Sequence, residues 1–479
     1  MQFNSYIFII IFLPVMLLLY FLGNKAGSLW GKIVLILGSL VFYSCAGMDS
    51  LMMLGISIVV NYVCALVIKR FRCRKILLAV PVLINVGILL YFKYFNFALE
   101  NLNWIMKTEY GPRDIFLPLG ISFFTFQQIA YLVAVYREEL EAGVIDYLVY
   151  ILYFPKLLMG PLADPVEFLQ DINNAGQMRI DWDHIACGIK IFSFGLFKKA
   201  LLADTFAQAV SWGYENFDAV TSMDLLLIMF FYTMEIYFDF SGYSDMATGV
   251  SAMFNIPLPI NFDSPYKALS IRDFWKRWHI SLTKFLTKYI YIPLGGSKKG
   301  RVFTYINTMI VFLVSGIWHG ASWTFILWGV LHGLLSVLDR MFETVQARIV
   351  KPVRWSVTFV MVNVLWLLFS AQSVRQWLAM LIKMIRFQDR TVSDKILRIF
   401  QIPESVLVRD LLHLQGLPID KGIWMVLFMA VSCGICLIPE NNYRKLSKNT
   451  YLTMVLAAVA FVWSLLSFST ESEFIYSNF

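Results

Sequence analysis

The sequence predicts an all-α integral membrane protein, and three observations carry that reading. Hydrophobic residues make up 59% of the 479 and charged residues only 15%, whereas soluble domains carry about 25% charged residues. Apolar runs of roughly 17–20 residues recur along the whole chain, each long enough for a helix to cross a ~30 Å hydrocarbon core. The charges gather between these runs. In lipid every backbone N–H and C=O must be satisfied within its own segment, which leaves helices as the spanning element here.

Taken in order, spans fall near 6–22, 29–46, 50–68, 76–95, 115–135, 144–162, 185–203, 224–245, 302–319, 321–338, 354–371, 422–439 and 451–469. Some of these, the Pro-containing run 115–135 above all, read as re-entrant, which brings the expectation to about 11 true crossings. The first run has no basic leader and no small-residue cleavage site, and Pro14 interrupts it; it reads as a retained membrane helix. Lys69, Arg70, Arg72, Arg74 and Lys75 form the densest basic cluster, in a short loop after three spans. The positive-inside rule puts that loop and Lys25 in the cytoplasm and the N-terminus outside. The net charge of +8 is then a topology signal, and it argues against a nucleic-acid partner. No linker, low-complexity tract or internal repeat divides residues 1–479, which read as one polytopic domain with its motifs at 229–340; the polar stretch 387–421 lies on one membrane face.

Residues 270–291, SIRDFWKRWHISLTKFLTKYIY, form an amphipathic helix in this reading. Ser270 and Asp273 fit a capping box at its start, and Pro293, Gly295 and Gly296 end it. At 100° per residue Phe274, Trp275, Trp278, Leu282, Phe285, Leu286 and Tyr289 share one arc, and Lys276, Arg277, Lys284 and Lys288 lie on the other. Trp and Phe opposite a basic face place a helix in the membrane interface. The four cations suit lipid phosphates or the phosphates of a nucleotide-type acyl donor, and spacing does not separate the two.

Two histidines stand out because the chain has only 5. His279 lies at the edge of the apolar arc, and His319 ends the run VFTYINTMIVFLVSGIWH, 319 − 279 = 40 residues later. Histidine exchanges protons near neutral pH, and ionisable groups at membrane depth are costly enough to be functional candidates. Gly316, Gly320 and Ala321 leave little bulk around His319 beside Trp318. Each histidine also admits a plain structural role: His279 tucked beneath an amphipathic anchor, His319 packed at a helix junction. His332, in the similar LHG, reads as a packing or hydrogen-bonding residue kept in reserve.

YFDFSGYSDMATG (237–249) sets Asp239, Ser241, Tyr243, Ser244 and Asp245 in an otherwise apolar helix. These residues, with Trp278 and Trp318, are expected to shape a polar cavity or tunnel; Asn261, Asp263 and Tyr266 continue the polar connection toward residue 270. A transporter's proton relay is less well supported, because acidic residues do not recur in other spans. There is no G-x-S-x-G, Walker A, G-x-G-x-x-G or H-E-x-x-H motif, so hydrolase-elbow and ATPase chemistry find no support, and no metal site is expected. Cys433 and Cys436 form a C-x-x-C inside an apolar run, which reads as small-residue helix packing.

YFDFSGYSDMATG, FWKRWHISLTKFLTKYIYIPLGGSKKG and SGIWHGASWTFILWG, with PLGISFFTFQQIAYLVAVYR (118–137) and YFPKLLMGPL (153–162), strongly resemble the bacterial membrane-bound O-acyltransferase family. The resemblance covers most of the chain. It is nearest to the alginate O-acetyltransferase-like branch, and more distant from the D-alanyl transfer protein of teichoic-acid modification. It implies a multi-span fold around a funnel in a bacterial cytoplasmic membrane. A thioester donor such as acetyl-CoA or an acyl-carrier protein would arrive from the cytoplasm, with no tightly bound cofactor. The acceptor would be a hydroxyl of an envelope or extracellular polysaccharide, reached directly or through an exported partner transferase. The family's hallmark histidine maps onto His319 and its second histidine onto His279. His319 would serve as general base, or as the site of an acyl-histidine, and His279 would orient the donor or the oxyanion. D-alanyl transfer, a flippase or channel for lipid-linked glycan or acyl groups, and a recruiting scaffold are the competing readings.

Overall fold

The structure, a computed structural model, describes residues 1–71, 75–141, 143–175, 180–401, 411, 421–437, 450–468 and 474–475, with the side chains of Ala175 and Lys421 excepted. Arg72, Cys73 and Arg74 of the basic cluster, and much of the polar stretch 387–421, lie outside the described residues. Every described element is helical. Helices α1 (Leu13–Ala26, preceded by a π-helical turn from Ile7), α2 (Ser28–Ser44), α3 (Met48–Arg70) and α4 (Lys75–Met106) open the chain. Then come α5 (Ile121–Tyr136), the short α6 (Val144–Leu152) and α7 (Phe154–Leu157), and α8 (Pro165–Ala175). Next are α9 (Trp182–Phe197), α10 (Asp204–Glu215), α11 (Ser222–Met253), α12 (Ile271–Arg277) and α13 (Ile280–Leu286). The rest are α14 (Arg301–His319), α15 (Trp323–Met341), α16 (Glu343–Gln346), α17 (Lys351–Ser370), α18 (Val374–Arg386), α19 (Asp394–Ile399), α20 (Lys421–Leu437) and α21 (Tyr451–Leu466).

Among the described residues seven helices are long and apolar enough to cross a membrane, and four shorter apolar helices accompany them. The chain is a multi-pass membrane protein. Three expected spans take another form. The run 144–162 breaks at Tyr153 into α6 and α7; Tyr153 and Pro155 start a new helical turn that buries Lys156 completely against the Gln127 Oε1 and the Tyr150 carbonyl. The run 115–135 is helical only from Ile121, after Gly120 adopts φ +72°. The run 185–203 continues through a π-helical stretch, Lys198–Ala203, straight into α10.

At the centre lies α11, which is almost wholly buried. Its N-terminus carries a complete capping box between Thr221 and Asp224, and Asp224 also accepts from Ser393 at 2.9 Å and 2.5 Å. Against α11 packs α9, and two glycine contacts permit the approach: a Cβ on Gly195 would fall 2.7 Å from the Gly242 carbonyl, and one on Gly249 would fall 2.6 Å from the Gly188 carbonyl. Without a hydrophobic force between helices in lipid, such small-residue faces allow close van der Waals packing. The same device closes the α14–α15 hairpin through Gly316 and Gly329. α14 starts beside Lys298, Lys299 and Arg301 and ends at His319, about 28 Å further on. We call the first end the basic face and the other the opposite face.

Candidate active site

The predicted interfacial helix is interrupted where it matters. It ends at Arg277, passes through Trp278, turns at His279 and restarts at Ile280. His279 holds φ +45°, ψ +53°, a left-handed conformation costing a non-glycine residue of order 1–3 kcal/mol unless its surroundings enforce it. They do: the Ile280 amide donates to the Asn261 carbonyl at 3.0 Å, and the Ser281 hydroxyl donates to Asn261 Oδ1 at 2.6 Å. Asn261 in turn donates to Ser244 of α11 at 3.3 Å. The cap at Ser270 is only half the expected box: its hydroxyl accepts from the Asp273 amide, while the Asp273 carboxylate takes the Leu269 amide. The apolar arc is buried in protein: Phe274, Trp275, Trp278, Leu282 and Leu286 sit inside the bundle.

The kink turns His279 inward. Its ring meets Phe240 of α11 edge-on at 4.7 Å and lies 6.3 Å from Trp318. Both ring nitrogens are buried and take no hydrogen bond from the described residues, and burial pushes its pKa down to about 3. His319 is 2% exposed and sits in an aromatic enclosure, with ring centroids 5.0 Å from Trp318, 5.2 Å from Trp328 and 5.2 Å from Phe369. His279, Lys93 and His332 all lie within electrostatic reach of it. His332 continues the enclosure, 4.7 Å from Trp328 and 5.0 Å from Trp275, whose indole N–H donates to His332 Nδ1 at 3.2 Å. Trp278 joins through Trp366 at 4.8 Å. The structure thus gathers His279, His319, His332, Trp278 and Trp318 into one centre.

The acidic residues of 237–249 do not join that centre. Asp239 pairs with Lys199 at 2.7 Å and accepts from the Ile475 amide at 2.9 Å; Asp245 pairs with Lys198 at 2.6 Å. Neighbouring residues on a helix point 100° apart, so Phe240 reaches His279 while Asp239 faces α9 and the π-helical stretch. Tyr243 is wedged between Phe3 and Phe474, each 5.1 Å away, and Ser241 is buried. This is an intramembrane ion-pair network holding α11 to its neighbours.

Residues the sequence reading passed over hold His319 in place. Lys93 donates to the Trp318 carbonyl at 2.6 Å and to Ser122 at 3.3 Å, and Tyr94 donates to the Ile317 carbonyl. The last carbonyls of a helix have no intrahelical partner, so two consecutive residues of α4 cap the turn that carries His319. A lone lysine inside the apolar run at 76–95 was the available signal.

Two cavities converge on this centre. One, of about 300 Å³, opens between α12–α13 and the α14–α15 hairpin on the basic face. Arg272, Lys276 and Arg340 line it, and it runs inward past Trp275 and Phe312 to Ser315, about 6 Å along the axis from His319. Arg272 pairs with Glu343 at 3.0 Å, whereas Lys276 and Arg340 make no ion pair among the described residues. The other cavity, about 550 Å³, opens on the opposite face among Tyr214, Glu215, Ser322, Thr324 and Gln372. It ends at Phe325 and Phe369, the latter in contact with His319. Of the four predicted phosphate-contact cations only Lys276 lines the first cavity. Arg277 is held by Asp273 at 2.8 Å and Lys288 by Asp164 at 2.6 Å; Lys284 and Lys288 border a separate cavity of about 450 Å³ across α13.

The fold is a helical membrane bundle with a buried histidine between two cavities, and the comparisons give the family. The chain belongs to the membrane-bound O-acyltransferase family, whose model matches residues 140–381, and it is an acyltransferase. It is 34% identical to a peptidoglycan O-acetyltransferase of Helicobacter pylori, over 100% of this chain and 97% of that protein. It is 36% identical to a probable alginate O-acetylase of Pseudomonas aeruginosa, over 78% and 73% of the two chains. A teichoic acid D-alanyltransferase of Streptococcus thermophilus is 28% identical over 49% of this chain and 60% of its own length.

Proposed function

We propose that this protein moves an acetyl group from a cytoplasmic thioester to a hydroxyl of a cell-envelope glycan, directly or by way of an exported partner transferase. It would do so in a bacterial cytoplasmic membrane with its N-terminus outside. The observation that carries this reading is the placement of His319 between two cavities of different chemistry. The basic-face cavity carries Arg272, Lys276 and Arg340 at its mouth, suited to the phosphates of acetyl-CoA or a carrier protein's prosthetic arm. The opposite cavity is lined at its polar end by several hydroxyls, one amide (Gln372) and one carboxylate (Glu215), groups that hydrogen-bond sugar hydroxyls.

In this mechanism His319 takes the proton of the acceptor hydroxyl as its oxygen attacks the thioester carbonyl. The C–O bond forms, the C–S bond breaks, and the imidazolium returns the proton to the departing sulfur. A positioned base contributes about 10²–10⁴-fold, and alignment of two reactants in a narrow site supplies much of the rest. His279, neutral and with both ring nitrogens free of hydrogen bonds among the described residues, stands ready to orient the acyl group or donate to the developing oxyanion.

The test compares O-acetyl esters on envelope polysaccharides of the wild type, a deletion strain and a His319→Ala strain with matched membrane protein levels. Loss of ester in both mutants is expected. Ester lost in the deletion but kept in His319→Ala would overturn the catalytic assignment and leave a conduit or scaffold. Unchanged acetylation in the deletion would overturn acetyl transfer and turn attention to D-alanyl esters.

A further inference from the structure

On α15, Arg340, Ser336, His332 and Trp328 follow one another at intervals of four residues, which places them on one face of the helix. This row runs from the mouth of the basic-face cavity to the aromatic wall of His319, a rise of about 18 Å. Arg340 and Ser336 line the cavity, His332 lies one turn further in, and Trp328 touches both His332 and His319. Two polar atoms in the row have no hydrogen-bond partner among the described residues. His332 and Ser336 are 1% and 4% exposed, and His332 Nε2 and Ser336 Oγ are both buried without a hydrogen bond among the described residues.

The tautomer of His332 follows from its neighbour. Trp275 N–H is a donor only, and it donates to His332 Nδ1 at 3.2 Å. Nδ1 must therefore offer a lone pair, so the ring is neutral and carries its proton on Nε2. A buried N–H donor and a buried hydroxyl then stand one helical turn apart, each leaving a hydrogen bond unmade that costs about 1–3 kcal/mol. Ser336 lines the cavity and His332 lies one turn beyond its lining; the wall facing Ser336 is apolar, with Phe312 and Leu286. What such a wall accommodates is a narrow, uncharged chain carrying carbonyl acceptors at intervals.

We propose that His332 Nε2–H and Ser336 Oγ form a subsite for the amide carbonyls of the donor's linear arm, between the phosphate-binding mouth and the reacting thioester. This rests on the assignment of the basic-face cavity to the thioester donor. It makes His332 and Ser336 donor-binding residues that discriminate a pantetheine-type arm from a plain alkyl thioester.

The experiment measures binding to the full-length protein in detergent by calorimetry, with two probes: coenzyme A, and adenosine 3′,5′-bisphosphate, which has the nucleotide phosphates but no arm. The variants are Ser336→Ala, His332→Phe and His332→Gln, the last retaining an amide donor and acceptor. The expected result is coenzyme A binding weakened roughly 3- to 10-fold in Ser336→Ala and His332→Phe, the range one neutral hydrogen bond supplies. The bisphosphate affinity stays at the wild-type value, and His332→Gln recovers much of the loss. Equal weakening of both probes would mean that the two residues only hold the fold, and would overturn the subsite. Coenzyme A affinity unchanged in both Ser336→Ala and His332→Phe would overturn it while leaving the donor cavity standing. Failure of the wild type to bind coenzyme A would overturn the cavity assignment itself, and the subsite with it.

Discussion

Gly316 lies three residues before His319, where the backbones of α14 and α15 pack directly against each other. A Cβ there would meet the Phe325 carbonyl oxygen at 2.4 Å and the Gly329 Cα at 3.1 Å. Carbon–oxygen contacts between packed helices settle near 3.3–3.6 Å, so Gly316→Ala forces the two backbones apart by about 1 Å. Neither obstacle is a flexible side chain, and overpacking of this kind costs roughly 1–3 kcal/mol. The catalytic penalty exceeds the stability penalty, because His319 is carried on the turn that must move and Trp328 and Phe369 define its ring position. A displacement near 1 Å costs on the order of 10²-fold in rate. Gly329→Ala meets the Phe312 carbonyl at 2.5 Å and should behave alike. Gly333→Ala meets the flexible Met309 sulfur at 3.0 Å and the Phe312 Cβ at 3.2 Å, which need yield only a few tenths of an ångström, and should cost clearly less than Gly316→Ala. The assay is ester formation in a deletion strain complemented with each variant at equal membrane abundance, beside the melting temperature of the purified protein. Gly316→Ala acetylating as well as Gly333→Ala would refute the argument that the hairpin spacing sets the geometry of His319.

Three further outcomes follow from the same contacts. Lys199→Met removes the cation that faces Asp204 at 2.9 Å and Asp239 at 2.7 Å; breaking a buried pair destabilises by about 3–5 kcal/mol, read as a large drop in melting temperature that Asp239→Asn in the same chain partly restores. Lys93→Met leaves the buried Trp318 carbonyl without its lysine donor, worth roughly 1–3 kcal/mol; ester formation should fall about tenfold with little change in membrane abundance, and wild-type activity would show that the cap does not position His319. The third concerns pH. Because the folded pKa of His279 lies near 3, below its ordinary 6.5, the unfolded chain binds the extra proton first. Stability is fully present above about 6.5 and declines as pH falls toward 3, and a His279→Gln variant should lose less melting temperature between pH 7 and pH 5 than the wild type.

The sequence made the membrane class, most of the helices and the histidine centre visible because each rests on a local signal. Apolar run length marks spans, and scarcity marks His279 and His319. What stayed hidden depends on tertiary partners. Periodicity alone reads 270–291 as one helix; the break at His279 is imposed by Asn261, nine residues outside that window, which captures the Ile280 amide and the Ser281 hydroxyl. Asp239 and Asp245 look like tunnel residues until Lys199 and Lys198 are seen opposite them. Lys288 looks like a phosphate ligand until Asp164 is found 2.6 Å away. Arg340 and Ser336 had no distinguishing feature at all, since it is the cavity between two helices that gives them a role.

Two cavities that end short of His319 on either side pose a problem that the aromatic residues would solve in the proposed reaction. A continuous water path through the bundle would hydrolyse a bound thioester and leak protons across the membrane. Between Ser315, at the inner end of one cavity, and Phe325 and Phe369, at the end of the other, stand Trp318, Trp328 and Trp366. Trp328 and Trp366 are at most 1% exposed, and Trp318 is 4% exposed. Trp318 is stacked on Phe126 at 5.4 Å, and Phe126 on Phe285 at 4.3 Å, so the partition extends from α5 across to α13. His319 sits in that partition, its ring 5.0 Å from Trp318 and 5.2 Å from both Trp328 and Phe369. Excluding water strengthens every charge interaction in the site, so the same aromatic wall that seals the membrane also sets the dielectric in which the transfer would occur. A smaller side chain at Phe369 should therefore trade acyl transfer for hydrolysis of the donor, separable by measuring thiol release with and without acceptor.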